Sequence, residues 1–489
     1  VANDFTPYST GSEFFGSKPA WISDELDAQR IMSYGVYEQI YWNVPDTFKI
    51  ALRGSNDRPV YVPSARTIVD TANRYIGADL TVVCVGPEGD GLAAAQLAIN
   101  DLMRRERYKS KFNGKKRYNL IWGDSIWHLT ADDTKPVGKR IKLTSLDPSM
   151  YFPIQDEDDV DSVVGCHLIQ QVTTDDGPAI RRLTYRKGEQ RSDGTSPITY
   201  EEAIFKVDEW DNPDKAPLQQ LVPVTEFPPQ ITALPVYHTK NTEQPGDPFG
   251  SSEIRGLERV MAGVNQTISD EDLAVALLGV GMYATDADAP TNAKGEPVAW
   301  QMGPGRVIHH NGTMFNKISG AQGISESFGD HYSRLWEILM HASGTPDVAV
   351  GSIDVSVAQS GVALQLQLGP MLSKAAEKDQ LLVDTETQMW HDIVSMWMPA
   401  YEQSTFDGVD VAVQTGDAVP IDRVAKFAEL NDMLDRGVID TAYYRLEATK
   451  LGYSFPDDIE TTASAEFEKR NADQFGTRVA AETDSGSPA

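Results

Sequence analysis

Several clusters in the 489-residue sequence carry side chains able to do chemistry. Asp156-Glu-Asp-Asp-Val-Asp161 places five carboxylates in six residues, hard oxygen donors that could attract a divalent cation. It lacks the spacing and the glycine of a calcium loop, and charge runs of this kind stay in water, so a solvated turn between strands is preferred. His167 and the pair His309-His310 invite a metal reading. Neighbouring histidines on a strand point to opposite faces, so His309 and His310 cannot share one ion without distortion. Cys84-Val-Gly86-Pro-Glu-Gly89-Asp-Gly91 follows a strand and precedes a helix, where a dinucleotide loop would lie. Its glycines run Gly-x-x-Gly-x-Gly rather than Gly-x-Gly-x-x-Gly, and Glu88 and Asp90 put negative charge where a pyrophosphate should rest; it reads as a turn. Gly-x-Ser-x-Gly, His-Glu-x-x-His and P-loop patterns are absent, and Ser360-Gly361 has neither a preceding strand nor a base. No catalytic residue, cofactor site or metal site is predicted.

The strongly basic stretch is Arg104, Arg105, Arg107, Lys109, Lys111, Lys115, Lys116 and Arg117, opposed by Glu106 alone. Tyr108, Phe112 and Tyr118 interleave with it, as a single-strand nucleic-acid surface would require. The whole-chain net charge of −29 argues the other way, since nucleic-acid binders neutralise phosphates with Lys and Arg. Contact with an acidic subunit or partner through Arg104, Arg105, Arg107, Lys115, Lys116 and Arg117 is preferred, ahead of a solvated face and then DNA.

Composition sets the frame for these groups. Hydrophobic content of 40% and charged content of 24% are ordinary for a globular chain, and the length allows two to four domains. Two cysteines, Cys84 and Cys166, make no disulfide framework and suggest a reducing compartment. The polar start, Val1 to Ser17, does not read as a signal peptide. The most apolar run, Leu273 to Ala284, is too short to span a bilayer, and no membrane association is expected.

The elements that must position these residues follow from periodicity. Helical spacing is read over 31–41, 64–75 and 92–108, with a strand at 80–85. From Tyr118 to Tyr237 short alternating runs (119–122, 125–129, 140–143, 163–172, 180–185) predict a mostly antiparallel β region, a small barrel being one form of it. Pro213 to Pro235 is extended or loop. A turn at 245–253 leads into a helix to about Leu278, with Ser251 or Ser252 as cap and Glu253 at the positive end of the dipole. A second amphipathic helix runs from Ile324 to Ala342, carrying Ile324, Phe328, Leu335, Leu339 and Ala342 on one stripe. After Ser343-Gly-Thr-Pro-Asp347 a long helix spans 358–397, interrupted at Gly369-Pro370, and would be roughly 60 Å long at ~1.5 Å per residue. A β run at 409–413 and helices at 421–435 and 440–451 close the chain, with 482–489 expected to be disordered.

This order of parts resembles the portal protein, or head–tail connector, of tailed double-stranded-DNA bacteriophages. The resemblance is carried by Pro248-Phe-Gly-Ser-Ser-Glu-Ile254 before a helix, His341-Ala-Ser-Gly-Thr-Pro-Asp347 followed by Ser360-Gly-Val-Ala-Leu364, and Leu434-Asp-Arg-Gly-Val-Ile-Asp440 with Leu451-Gly-Tyr453. It implies an α+β subunit with an α/β wing containing a small β region (1–250), a first stem helix (251–280) and a β clip (281–313). A second stem helix (314–342), a tunnel loop (343–357), a long wing helix (358–398) and a helical crown with a disordered tail (399–489) would follow.

The family's properties imply a non-enzymatic ring of typically twelve subunits at one capsid vertex, present in the host cytoplasm during assembly. Its partners would be further copies of itself, the terminase, a head–tail adaptor, major capsid and scaffold proteins, and duplex DNA held weakly and without sequence preference. It implies a tunnel loop facing DNA through Ser343, Gly344, Thr345, Pro346, Asp347, Val348 and Asp354. Glu253, Arg255, Glu258, Arg259, Leu277 and Leu278 would lie on the stem and subunit interface, and Tyr283, Trp300, Arg306, His309 and His310 on the clip. Replacing Leu277 or Leu278 with Asp is expected to weaken ring assembly more than monomer folding, and unchanged ring yield on size exclusion would remove them from the interface. The alternatives are a metal-dependent hydrolase built on Asp156 to Asp161 with His167, for which Asp158→Asn should abolish metal-dependent stabilisation, and a virion structural protein without a channel.

Overall fold

The computed structural model describes residues 21–22, 24–52, 58–78, 80–87, 89–159, 162–175, 177–192, 194–280, 282–284, 288, 291–298, 316–318, 324–351, 361–416, 423–439, 444–445 and 447–448. The chain forms two compact units, Val1–Ala418 and Val419–Ala489. In chain order the first unit contains α1 (Glu25–Tyr41), α2 (Ser64–Tyr75), β1 (Thr81–Val85), α3 (Asp90–Arg105), α4 (Tyr108–Trp122), β2 (Asp124–Ala131), β3 (Ile141–Leu146), β4 (Tyr151–Gln155), β5 (Val163–Thr174) and β6 (Gly177–Lys187). It continues with β7 (Ile198–Lys206), β8 (Gln219–Glu226), β9 (Val236–Lys240), α5 (Glu258–Val280), β10 (Met282–Ala284), β11 (Asn316–Ile318), α6 (Ile324–Ala342), the single turn α7 (Asp347–Val350), α8 (Gly361–Asp392) and β12 (Asp410–Gln414). The second unit contributes α9 (Arg423–Asp435), near whose C-terminal half Tyr444 donates to Asn431 Oδ1 at 2.7 Å.

The core of the first unit is layered by the two-residue period of β2. Ser125, Trp127 and Leu129 point one way and Asp124, Ile126 and His128 the other, and every one of them is buried. Trp127 faces the helices: it stacks on Tyr108 of α4, which in turn meets Trp390 of α8 edge-on. Ile126 faces a five-stranded antiparallel sheet, β4-β5-β6-β7-β8, through Tyr151, Cys166, Leu168, Tyr185 and Phe249. His128 bonds Tyr185 across this layer at 2.8 Å. The three-stranded sheet β3-β2-β9 is thus a middle layer between helices and a second sheet.

The antiparallel β region forms as expected, as an open sheet rather than a barrel. Its end strands β4 and β8 each carry a proline, Pro153 and Pro223, whose missing N–H suits an edge. Three helical expectations change. The helix read over 92–108 ends at Arg105, and α4 occupies 108–122, where 119–122 had the pattern of a strand. The helix expected from 251 starts at Glu258, because 253–257 form successive turns. Pro370 does not interrupt α8: it is exposed, and so is Leu366, whose carbonyl it frees. Beyond Asp392 the same helix continues as a π-helix over Ile393–Glu402, ending on Gln403 in the left-handed region at φ 54°.

Candidate functional site: the base of a helical excursion

Helices α5 and α6 flank the β10–β11 pair, and the segments at their outer ends meet at one point. The first turns of α5 are core, with Met261, Val264 and Asn265 buried and Asn265 Oδ1 accepting from Val62 N at 2.7 Å. The segment ahead of α5 is pinned by close backbone approach: a Cβ at Gly250 would lie 2.2 Å from Gly123 O, and one at Gly123 would lie 2.7 Å from the Ser251 carbonyl carbon. Gly250 N donates to Asp124 Oδ1 at 2.7 Å, and Ser252 Oγ donates to Ile121 O at 2.6 Å. Asp124 is fully buried and also accepts from Tyr34 OH (2.6 Å) and pairs with His238 Nε2 (2.7 Å). Burial opposes its ionised form, yet these three bonds outweigh it and hold its carboxyl below the usual range.

Glu253 then turns into the protein. It forms ion pairs with Lys374 and, at 3.0 Å, with Lys378 of α8. Lys378 also reaches Asn241 Oδ1 (2.9 Å), whose amide nitrogen donates to Ser251 O (2.8 Å). The two lysines overcome desolvation and lower the Glu253 pKa. Lys374 has a second task, donating to Ser343 O at 2.7 Å just beyond the end of α6. One ammonium group therefore holds Glu253, in the turns ahead of α5, and Ser343, the residue after α6. Between these points α5 and α6 pack on each other, Leu335 lying against Gly263, and β10 pairs antiparallel with β11.

The residues singled out in the sequence fall as follows. Ser343 and Thr345 are buried, Ser343 Oγ donating to Met340 O at 3.0 Å, so they brace the turn and do not face outwards. Gly344 takes φ 62°, Pro346 and Val348 are half-buried, and Asp347 is exposed. Arg255 donates to Ser251 Oγ at 3.3 Å; Arg259 is exposed; Glu258 is buried, with its pKa raised by burial. For Leu277, Leu278 and Tyr283 only the backbone is described, while Asp354, Trp300, Arg306, His309 and His310 lie outside the described residues.

The basic stretch divides. Lys115 is buried against Glu386 at 3.0 Å and donates to Thr239 Oγ1 at 2.8 Å. Lys116 is buried and donates to Ile76 O at 2.6 Å, capping the end of α2, and its burial pushes the pKa down to about 8. Arg105 donates to Ile141 O at 3.0 Å, and Arg117 lies 3.3 Å from Asp70. Lys115, Lys116 and Arg105 serve the chain's own packing, against the expectation of one exposed patch; Arg104, Arg107, Lys109 and Arg117 stay exposed.

Asp156 to Asp159 form an exposed turn in which Asp158 N donates to Asp156 Oδ1, as expected; Val160 and Asp161 lie outside the described residues. His167 bonds Thr184 Oγ1 at 2.9 Å, and burial with Arg182 and Arg186 nearby pushes its pKa down to about 3. Among the described residues no group of three His, Cys, Asp or Glu side chains could hold a metal ion. The glycine turn at 86–91 joins a strand paired antiparallel with β12, unlike the parallel-sheet crevice of a dinucleotide site.

No family model and no curated protein matches the sequence. Among solved structures, a chain from the virion of a native gene transfer agent particle is similar at 14% identity and a TM-score of 0.38, covering 82% of this chain and 97% of that one.

Proposed function

We propose that this chain is a portal subunit, a structural protein of a phage-like virion that forms a ring around a DNA channel at one capsid vertex. The observation that supports it most directly is the helix pair: α5 and α6 pack on each other, flank the β10–β11 pair, and the segments beside them, at Glu253 and Ser343, meet at Lys374. A helix pair of this kind covers only part of its own surface. Tyr332, Leu335 and Trp336 are half-buried and Ile338 is 47% exposed in the single chain. Neighbouring pairs in a ring would cover them, through heterologous contacts that close by rotation.

In this reading 254–342 is the stem with its clip, and the lumen is walled by stem helices and the segment from Asp347 onward. A conduit must let DNA slide, so it needs few cations on its wall, because each neutralised phosphate strengthens retention. The terminase, adaptor, scaffold and capsid proteins are the partners this role requires, and no catalytic group of its own is needed.

Negative-stain electron microscopy with the mass in solution measured alongside tests this. A ring of about twelve subunits with an axial hole is expected. A protein that stays monomeric even when co-expressed with capsid and scaffold proteins, or that assembles without an opening, overturns it.

A further inference from the structure

Three of the four cations left exposed by the basic stretch, Arg104, Arg107 and Lys109, frame a groove. It has a volume of about 570 Å³, a floor that includes Leu80, Val82 and Met103, and a rim that includes Arg104, Arg107 and Lys109. Arg104 is 82% exposed and meets Asp101 at 2.5 Å, and among the described residues no ion pair engages Arg107 or Lys109. In a chain with 72 acidic against 43 basic residues, two unpaired cations flanking Tyr108 are not explained by packing. Arg107 is moreover held in the left-handed region at φ 52°, which an L side chain adopts only at a steric cost.

Leu80, Thr81 and Val82 bring the start of β1 into the groove, while Val83 and Val85 lie outside its lining. The backbone of β1 beside α3 is already engaged: Cys84 N donates to Gln96 Oε1 at 2.8 Å and Gln96 Nε2 donates to Val82 O at 3.1 Å. An incoming segment cannot add there as a strand and must bind through its side chains.

We propose that this groove receives an acidic amphipathic segment of a partner protein, its carboxylates on Arg104, Arg107 and Lys109 and its apolar side chains on the floor. Charge complementarity selects the acidic class, and the apolar floor selects a peptide over a nucleic-acid backbone, which has no side chains to fill it. This goes beyond the channel role and does not depend on it.

The probe is a fluorescein-labelled peptide of about three helical turns (~11 residues), Leu at helical spacing with Asp and Glu between, titrated against the full chain by anisotropy. Binding is expected to weaken as salt rises from ~50 to ~500 mM. Replacing the peptide's acids by Lys should weaken it at least ~tenfold. Arg107→Gly with Lys109→Glu should do the same with an undiminished melting temperature, since glycine relieves the φ 52° conformation. Met103→Asp, which spoils the floor and keeps the cations, should also lose affinity. Equal binding of the Lys peptide, or affinity unchanged in these variants, overturns the proposal. So does a DNA duplex that competes for the same cations, or self-association that the same variants abolish while the peptide never binds.

Discussion

Glu386→Ala is the perturbation whose size the structure fixes best. The Glu386 carboxylate is fully buried and accepts from Lys115 Nζ at 3.0 Å, Trp127 Nε1 at 2.7 Å and Tyr108 OH at 2.7 Å. It joins α8 to α4 and β2 in the centre of the core. Its loss strands an ammonium group whose pKa burial already lowers and Glu386 alone holds up. At pH 7 that term has a ceiling: Lys115 can lose its proton, at a free energy of about 4.6 kcal/mol for a shift from ~10.4 to 7. The stranded Trp127 and Tyr108 donors add about 1 to 3 kcal/mol between them once the site relaxes. The expected total is about 4 to 7 kcal/mol. Lys115→Met with Glu386→Leu removes both charges and should recover most of it, leaving a coupling of about 3 kcal/mol. Urea titration followed by tryptophan fluorescence, at one protein concentration, measures this from the midpoint and slope. The Glu386→Ala deficit should also shrink from pH 7 towards ~10, where the unfolded lysine deprotonates too. A single-variant loss below ~1 kcal/mol, or a double variant no better than the single, refutes the reasoning.

Other outcomes follow from the same geometry. Burial holds His128 down to about 4, with Lys142 adding to it, and His167 down to about 3, so both fold as neutral rings. Their stabilisation is complete above the unfolded value of 6.5 and is lost as pH falls below it, on the order of 3 kcal/mol each by pH 4, and His128→Gln should flatten the acid slope of a stability–pH curve. Gly250→Ala drives a Cβ into Gly123 O and should lower the melting temperature by several degrees, while Gly256→Ala, with nothing within 4 Å of its added Cβ, should cost only about 1 to 2 kcal/mol from its φ of 82°. Lys374→Met releases Ser343 O and leaves Glu253 to Lys378 alone; limited proteolysis should then cut faster beside residues 253 and 343, with a loss of about 2 to 3 kcal/mol.

Where one apolar stripe decided the matter, the sequence was readable. Ile68, Val69 and Ala72 line one face of α2, whose bounds are those expected, and so are the bounds of α6. Helix α4 was hidden because its inward face carries Lys115 and Lys116, which no hydrophobic pattern marks as core; only Glu386 and the carbonyl ends of α2, distant in sequence, make that burial tolerable. The open sheet was available in principle from Pro153 and Pro223, each in a run that ends up at an edge. The site was less legible still. Glu253 reads as a first-turn acid suited to a helix dipole, yet its partners are Lys374 and Lys378, more than a hundred residues onward on α8. A tertiary ion pair leaves no periodic trace at either end.

The placement of these lysines shows how an acidic chain accommodates cations in its interior. Lys115 is neutralised inside by Glu386, but Glu253 faces two lysines, and Lys116 faces backbone carbonyls, with Asp379 the nearest carboxylate to influence it. Each of the latter sites holds one more cation than it has carboxylates in direct contact. The desolvation this entails is met by helix-end and loop carbonyls (Ile76, Ser343, Asn241), which need a donor in any case. The same ammonium groups tie the segments beside α5 and α6 to α8.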